Sequence, residues 1–589
     1  MIDTMKKFFL LAGVLALSMM CWTSCNPLED SDDDNGTTQL ILPISVDPGT
    51  EDDKLTYDDL AEYGALRSYV NRALTPDFKL GAAVTVSNFL RQTQEYKTVT
   101  ENFNEMTAGN AMKQASILKN NGSMDFSQVN NFLNAADKAG MTVYGHTLAW
   151  HSQQSVTYLN SLIQSKKVEN PGGDGEMVIL QTDFNDGQTV FNGWGNNSTR
   201  SVVDGALKIT NPSAVNYWEA QIAYDVNTGF EKGTKYKMSF KVKGSASGKL
   251  LSGFQIVDGY KSAGDFPAVN FTAEWQTVNL ETECTAEGAT RLIFSFGDFA
   301  GDIYLDDFVF SATGVDYIYE EMSAAEKKAV LVDAMDRWIK GMMEVTATRV
   351  SAWDAVNEAI SGRDNDRDGF YELESAAWGS DSNFYWQDYL GSEDYVRIVI
   401  EKARKYYAEY GGTAPLRLFI NDYNLESDWD DNKKLKSLIH WIQIWESDGV
   451  TKIDGIGSQM HVSYYEDPNT QKSKEDHVVK MLQLMDDTGK LVKISELDMG
   501  YVDRYGETLP TTKMTDTRLR QMADFYEFIV SKYFEIVPVE QQYGITQWCP
   551  TDAPVDSFWR PGEPLGLWDQ NYNRKYAYAG FANGLISNL

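Results

Sequence analysis

The chain has 589 residues, with 85 acidic against 52 basic side chains and a formal charge of −33. That balance excludes electrostatic capture of nucleic acid or anionic lipid, because phosphate polymers are held by Lys and Arg. A hydrophobic content of 42% is ordinary for globular protein, and the length allows roughly two to four folding units.

Taken in chain order, Met5-Lys6-Lys7 precedes a short apolar run from Phe8 to Met20, the layout of a secretory signal and too short for a membrane span. Ser24-Cys25 and the acidic stretch from Asn26 to Asp34 resemble a bacterial lipoprotein signal. This predicts a signal peptide over 1–24, lipid on Cys25 and anchorage at the bacterial outer membrane, exposed at the surface. A plain signal with an incidental Cys, or lipidation at Cys21, is the alternative. Residues 25–55 are acidic and broken by Pro43, Pro48 and Gly49, as in a flexible tether. Cys284 and Cys549 fall in different predicted domains and imply no disulfide framework.

Short apolar runs then recur at Leu80–Thr85, Asn102–Met106, Met141–Leu148, Arg349–Val356, Leu416–Ile420, Gly455–Val462, Leu491–Leu497 and Gly544–Trp548. Amphipathic stretches separate them. Ser323–Met343, for example, carries Val330, Ala334, Trp338 and Met342 at helical spacing. Eight buried strands alternating with helices predict an α/β fold, a (β/α)₈ TIM barrel. Polar residues gather at the ends of the runs, where such barrels place their chemistry: His146, Asn357, Glu358, Asn421, Asp422, His461, Glu496 and Trp548.

The third and fourth runs lie about two hundred residues apart. Between them, segments such as Lys235–Val242 and Gly301–Leu305 alternate with period two, which predicts an all-β jelly-roll sandwich inserted after strand three. The expected boundaries are 56–165 and 315–589 for the barrel and 166–314 for the insert.

Glu358 and Glu496 end strands four and seven, 138 positions apart, which leaves room for three βα units of roughly 40–50 residues. Two carboxyls meeting across the mouth fit a retaining glycosidase, whose pair stands about 5–5.5 Å apart. Either glutamate taken alone reads equally well as a salt-bridge partner. The 15 Trp, 31 Tyr and 27 Phe suit stacking on sugar rings.

At these residues the chain resembles glycoside hydrolase family 10, the β-1,4-xylanases. The carriers are Gly145–His151, Trp353–Glu358, Asn421–Asn424, Gly457–His461, Ser495–Asp498, Gly544–Trp548 and Ser557–Arg560. The resemblance implies a retaining, endo-acting hydrolase of xylan and xylo-oligosaccharides that needs no cofactor. It assigns Glu358 as acid/base, Glu496 as nucleophile, His461 as the group holding the nucleophile and Asn357 as the contact to the sugar 2-hydroxyl. Asn110, Lys113, His146, Trp150 and Gln459 match residues shaping the glycone side, Trp548 and Trp559 its aromatic wall, and Tyr423 a further substrate contact. The sequence departs from the family pattern at Ala108-Gly109-Asn110-Ala111-Met112-Lys113. Ala111 stands where a carboxylate normally contacts a more distant glycone sugar, so binding there is expected to be weaker or different.

After Glu358, Asp364, Asp366 and Asp368 alternate before Gly369, as in a calcium loop, but Ser375 stands where a closing Glu belongs. A structural calcium or a solvated polar loop are both consistent with this spacing. The insert resembles carbohydrate-binding modules of families 4 and 22 through Asp183–Gly187 and Tyr304–Phe308. Its Trp194, Tyr217, Trp218 and Tyr260 serve either as sugar platforms or as core. A barrel glycosidase acting on another β-glycan and a non-catalytic surface glycan-binding protein are the competing functions.

Overall fold

The computed structural model describes residues 55–169, 176–313 and 317–587. The expected signal peptide, Cys25 and all but the last residue of the tether lie outside them. The chain divides into two compact units, one running to Ile163 and resuming at Ala324, the other spanning Gln164–Ser323.

The first unit is a closed barrel of eight parallel strands, numbered here β1 Lys79–Val84, β2 Glu105–Ala108, β3 Thr142–Ala149, β4 Ala352–Asn357, β5 Arg417–Asp422, β6 Gly455–Ser458, β7 Leu491–Val502 and β8 Gln542–Gln547. Neighbours in sequence pair in space, β8 pairs β1, and the ring is complete. Helices cover the outside, so the strands are buried on both faces and read as unbroken apolar runs. Each expected run contains or adjoins a strand. The second strand begins later than expected, because Asn102 ends the helix Gln94–Asn102, where its side chain accepts from the Leu66 N–H and the Tyr578 hydroxyl. Gly145 on β3 is obligatory: a Cβ there would lie 2.1 Å from the Trp353 ring on β4.

The helix expected over Ser323–Met343 runs from Ala324 to Thr346 and buries Leu331, Met335, Trp338, Ile339 and Met342 along one stripe. Its Trp338 also donates an indole N–H to the Leu148 carbonyl of β3 at 2.7 Å. That bond satisfies the polar end of a ring that is otherwise in the core.

The sixth run is not continuous. After β6 the chain breaks at Gln459 and Met460, where Met460 takes φ 56°, and a strand resumes over His461–Tyr465, pairing β7 with His461 opposite Asp498. The break moves His461 into register with the carboxylates of β7.

The second unit has two antiparallel six-stranded sheets. Lys235–Gly244 buries Tyr236, Met238, Phe240 and Val242 on one face, the alternation visible in the sequence. A core rich in phenylalanine, including Phe191, Phe240, Phe254, Phe294, Phe308 and Phe310, fills the sandwich. The unit is longer than the expected insert, because Tyr317–Glu320 pairs antiparallel with Lys166–Glu169 instead of joining the barrel.

Candidate active site

Glu496 lies in β7, where the register against β8 slips between Ile494 and Leu497. Such a slip re-aims side chains. Glu496 is buried, and His461 Nε2 lies 3.4 Å from its Oε2. The other imidazole nitrogen, Nδ1, is 3.0 Å from Asp498 Oδ2. Asp498 also accepts from Trp559 Nε1 and from an Arg560 guanidinium N–H, both at 2.8 Å. Arg560 reaches in over Gly500, where a Cβ would lie 2.0 Å from its guanidinium nitrogen.

Burial by itself would lower the His461 pKa, but Asp498 and Glu496 dominate and push it up to about 10. At neutral pH the ring is therefore an imidazolium between two carboxylates. Burial would likewise raise Glu496; the His461 hydrogen bond and the charges of His146, His461 and Lys113 outweigh it and hold the carboxyl below its ordinary range. Glu496 is thus kept ionised.

Glu358 follows the last residue of β4 with φ 52°, and its N–H donates to the Asn421 carbonyl at 2.8 Å. Its Oε1 accepts from Asn357 Nδ2 at 3.1 Å and Gln459 Nε2 at 3.0 Å, its Oε2 from Trp150 Nε1 at 3.1 Å. Its surroundings are acidic as well as amide-lined. Asp422 is paired with the buried Lys434 at 2.7 Å, and Lys434 lies 3.2 Å from the centre of the Tyr423 ring. Burial, with the charges of Asp422 and Glu358 nearby, pushes the Glu374 carboxyl up to about 7.

Two amide side chains connect the two glutamates. Asn421 at the end of β5 donates through Nδ2 to Glu496 Oε1 at 2.9 Å and to Asn357 Oδ1 at 2.8 Å, while its Oδ1 accepts from the Ser495 hydroxyl at 2.5 Å. The chain Glu496–Asn421–Asn357–Glu358 fixes both carboxyls in one cavity mouth, with every amide oriented by its partners.

The remaining expected residues fall around this pair. His146 is buried, its Nδ1 2.8 Å from Asp354 Oδ2, and the Tyr144 hydroxyl donates to the other oxygen of Asp354 at 2.6 Å. Lys113 donates to Asn110 at 3.1 Å and lies over the Trp150 ring. Trp548 packs edge-on to both His146 and His461, and Trp559 leans on His461. Gln459, grouped by the resemblance with the glycone side, bonds Glu358 directly. His151, also in a motif, stacks on Tyr385 and is pushed down to about 4 by burial.

Asp354, Asn421, Asp498 and Arg560 lay in the motifs that carry the resemblance without an individual role, and Glu374 lay in none. Asp354 is a polar residue inside an apolar strand run and Asn421 and Asp498 directly follow one, where an unpaired polar group would be costly. Arg560 closes the Ser557–Arg560 motif, whereas Glu374 sits in a loop and gave no signal.

Carboxylate oxygens of Asp364, Asp366 and Asp368 converge to within 4.8 Å of one another. Lys433 lies 2.6 Å from Asp364 Oδ2, and backbone N–H groups bond Asp366, Asp368 and Glu372. Asp364 Oδ1 and Glu372 Oε2 are buried without a hydrogen-bond partner among the described residues. They are hard oxygen donors of the kind calcium takes, and Lys433 already balances part of the charge.

The model of glycosyl hydrolase family 10 matches residues 70–172 and 313–584, which leaves the second unit almost wholly outside the match. An endo-β-1,4-xylanase of Cellvibrio japonicus is 31% identical over 249 residues, 40% of this chain and 36% of that protein. Endo-1,4-β-xylanase 2 of Aureobasidium pullulans is 30% identical over 257 residues, 42% and 60% respectively. The chain thus spans between about a third and three fifths of these relatives. Xylanase B from Clostridium stercorarium superposes with a TM-score of 0.51 at 16% identity, over 88% of this chain and 100% of that one. Native xylanase 10C from Cellvibrio japonicus gives 0.51 at 19%, over 91% and 74%. At such identities the likeness speaks for the fold.

Proposed function

Because the chain belongs to glycosyl hydrolase family 10, we propose that it is a retaining endo-β-1,4-xylanase in which Glu496 is the nucleophile and Glu358 the acid/base. The observation that carries this is the amide bridge through Asn421 and Asn357, which holds an ionised carboxylate and a second carboxyl against one site. Glu496 attacks the anomeric carbon while the bond to the leaving oxygen breaks and Glu358 hands that oxygen its proton. A water then attacks the same carbon, returns a proton to Glu358 and releases Glu496, so configuration is retained. Asn357 commits one N–H to Glu358 and has a second for the sugar 2-hydroxyl, a contact that strengthens as charge develops.

The enzyme is also proposed to sit at the outer membrane through lipid on Cys25, and its inserted sandwich to bind glycan. Trp194, Tyr217, Trp218 and Tyr260 are exposed rather than core, at 38%, 46%, 54% and 74%, which supports a sugar-contacting role. Membrane fractionation of a Cys25→Ala variant tests the anchor, and retention of Trp218→Ala on insoluble xylan tests the module.

The central experiment is reducing-sugar release from arabinoxylan by wild type and Glu358→Ala, with product sizes followed in time. Short xylo-oligomers formed by wild type and not by the variant are expected. No release by wild type, together with release from cellulose or a mixed-linkage glucan, would replace xylan by another β-glycan. Binding without hydrolysis of any of them would replace the enzyme by a glycan-binding protein.

A further inference from the structure

The loop 423–432 that follows β5 ends in a tryptophan that the chemistry above does not use. Trp429 is 65% exposed, yet the loop beneath it is firmly built. Buried Asn432 donates to the Leu425 carbonyl at 2.9 Å and to the His477 carbonyl at 3.1 Å. Asp428 is paired with Lys474 at 2.6 Å, and the Tyr371 hydroxyl donates to Asp430 at 3.2 Å. The Lys474 ammonium lies 4.8 Å from the centre of the Trp429 ring and 5.1 Å from that of Tyr465. A cation over the ring steadies it, while 65% of the residue stays exposed. An aromatic ring held rigid in water is preorganised for stacking, with little conformational entropy left to lose on binding.

Its position in the barrel gives the ring a direction. Lys113 and His146, whose charges act on Glu496, come from the β2 loop and from β3, and Trp548 comes from β8. The groups around Glu358 on its other side, Asp422, Tyr423, Lys434 and Glu374, belong to β5 and the loops and helix beside it. A general acid must stand beside the oxygen it protonates, so the leaving part of the substrate lies on this side. Tyr371 ties loop 423–432 to the loop after β4, on that same side, and Lys474 of the helix Pro468–Asp486 joins it to Tyr465.

We propose that Trp429 is a specificity-determining platform on the leaving-group side, stacking on a β-linked pyranose beyond the scissile bond and so favouring long chains over short ones. This rests on the catalytic assignment of Glu358. The test compares kcat/KM of wild type, Trp429→Ala and Trp429→Tyr on xylohexaose and on an aryl β-xylobioside, whose leaving group holds no sugar. Trp429→Ala is expected to lose about tenfold on xylohexaose, the size of one lost aromatic stack. On the aryl substrate it stays within about twofold of wild type, and Trp429→Tyr keeps most of the activity on both. Wild-type rates for Trp429→Ala on xylohexaose would overturn the proposal, as would an equal loss on both substrates, which would mark the ring as support for the catalytic groups. If wild type cleaves neither substrate, the catalytic assignment itself fails, an outcome distinct from a variant that differs from an active parent.

Discussion

The two glutamates at the barrel mouth stand in different surroundings. Glu496 faces Lys113, His146 and an imidazolium at His461, which is held by Asp498, itself paired with Arg560. Glu358 faces amides and an indole N–H, with Glu374 and Asp422 behind it. Positive neighbours keep a buried carboxylate charged, and Glu496 is held below its ordinary range in this way. Two chemically identical side chains thus stand in different surroundings, and the proposed division of roles between them rests on that difference.

The largest effect should come from breaking each side in turn. Glu496→Ala is expected to lose on the order of 10⁵-fold on every substrate, since no other group forms the covalent intermediate. Glu358→Ala should lose about 10²–10⁴-fold on xylan, the range of general acid catalysis. The loss should be much smaller in the burst phase on an aryl β-xylobioside, whose leaving group needs no proton. Equal losses for both variants on both substrates would mean that the two carboxyls do not have separate roles.

A smaller effect should follow from weakening the positive side alone. In Asp498→Asn the imidazolium loses the partner that holds its pKa near 10. His461 then gives up its proton at lower pH, and the pKa of Glu496 rises toward its ordinary value. We expect kcat/KM to fall about a hundredfold and the acidic limb of its pH profile to move upward. An unshifted limb, with folding verified by circular dichroism, would show that Asp498 acts on packing only.

The smallest effect belongs to the acidic side. Glu374 is pushed up to about 7, so its negative charge appears above that pH and opposes loss of a proton from neighbouring carboxyls. In Glu374→Gln the alkaline limb should move to lower pH by ~0.5 unit, equivalent to ~0.7 kcal/mol between partly screened charges. A limb that stays in place or moves upward would remove Glu374 from the electrostatics of the acid.

Much of this was written in local patterns. Eight apolar runs with polar ends indicate a parallel barrel because strands covered on both faces tolerate few polar residues, and period-two alternation marks the insert because each of its sheets buries one face. The break at Gln459 and Met460 was not visible: both residues suit a strand, and the positive φ of Met460 answers to the pairing of His461 with β7. Nor did the run of residues distinguish exposed Tyr260 from buried Tyr236, since alternation tells which side of a strand is inward but not how loops lie.

By itself the sequence determined the class of fold and the place of the insert, because strand periodicity is a property of neighbours along the chain. Only the tertiary structure decided that Glu496 is held below its ordinary range, that Asn421 and Asn357 bridge the two glutamates, and that Gln459 bonds Glu358. Those outcomes depend on contacts of about 3 Å between residues scores of positions apart, and a Coulomb or hydrogen-bond energy is set by distance in space.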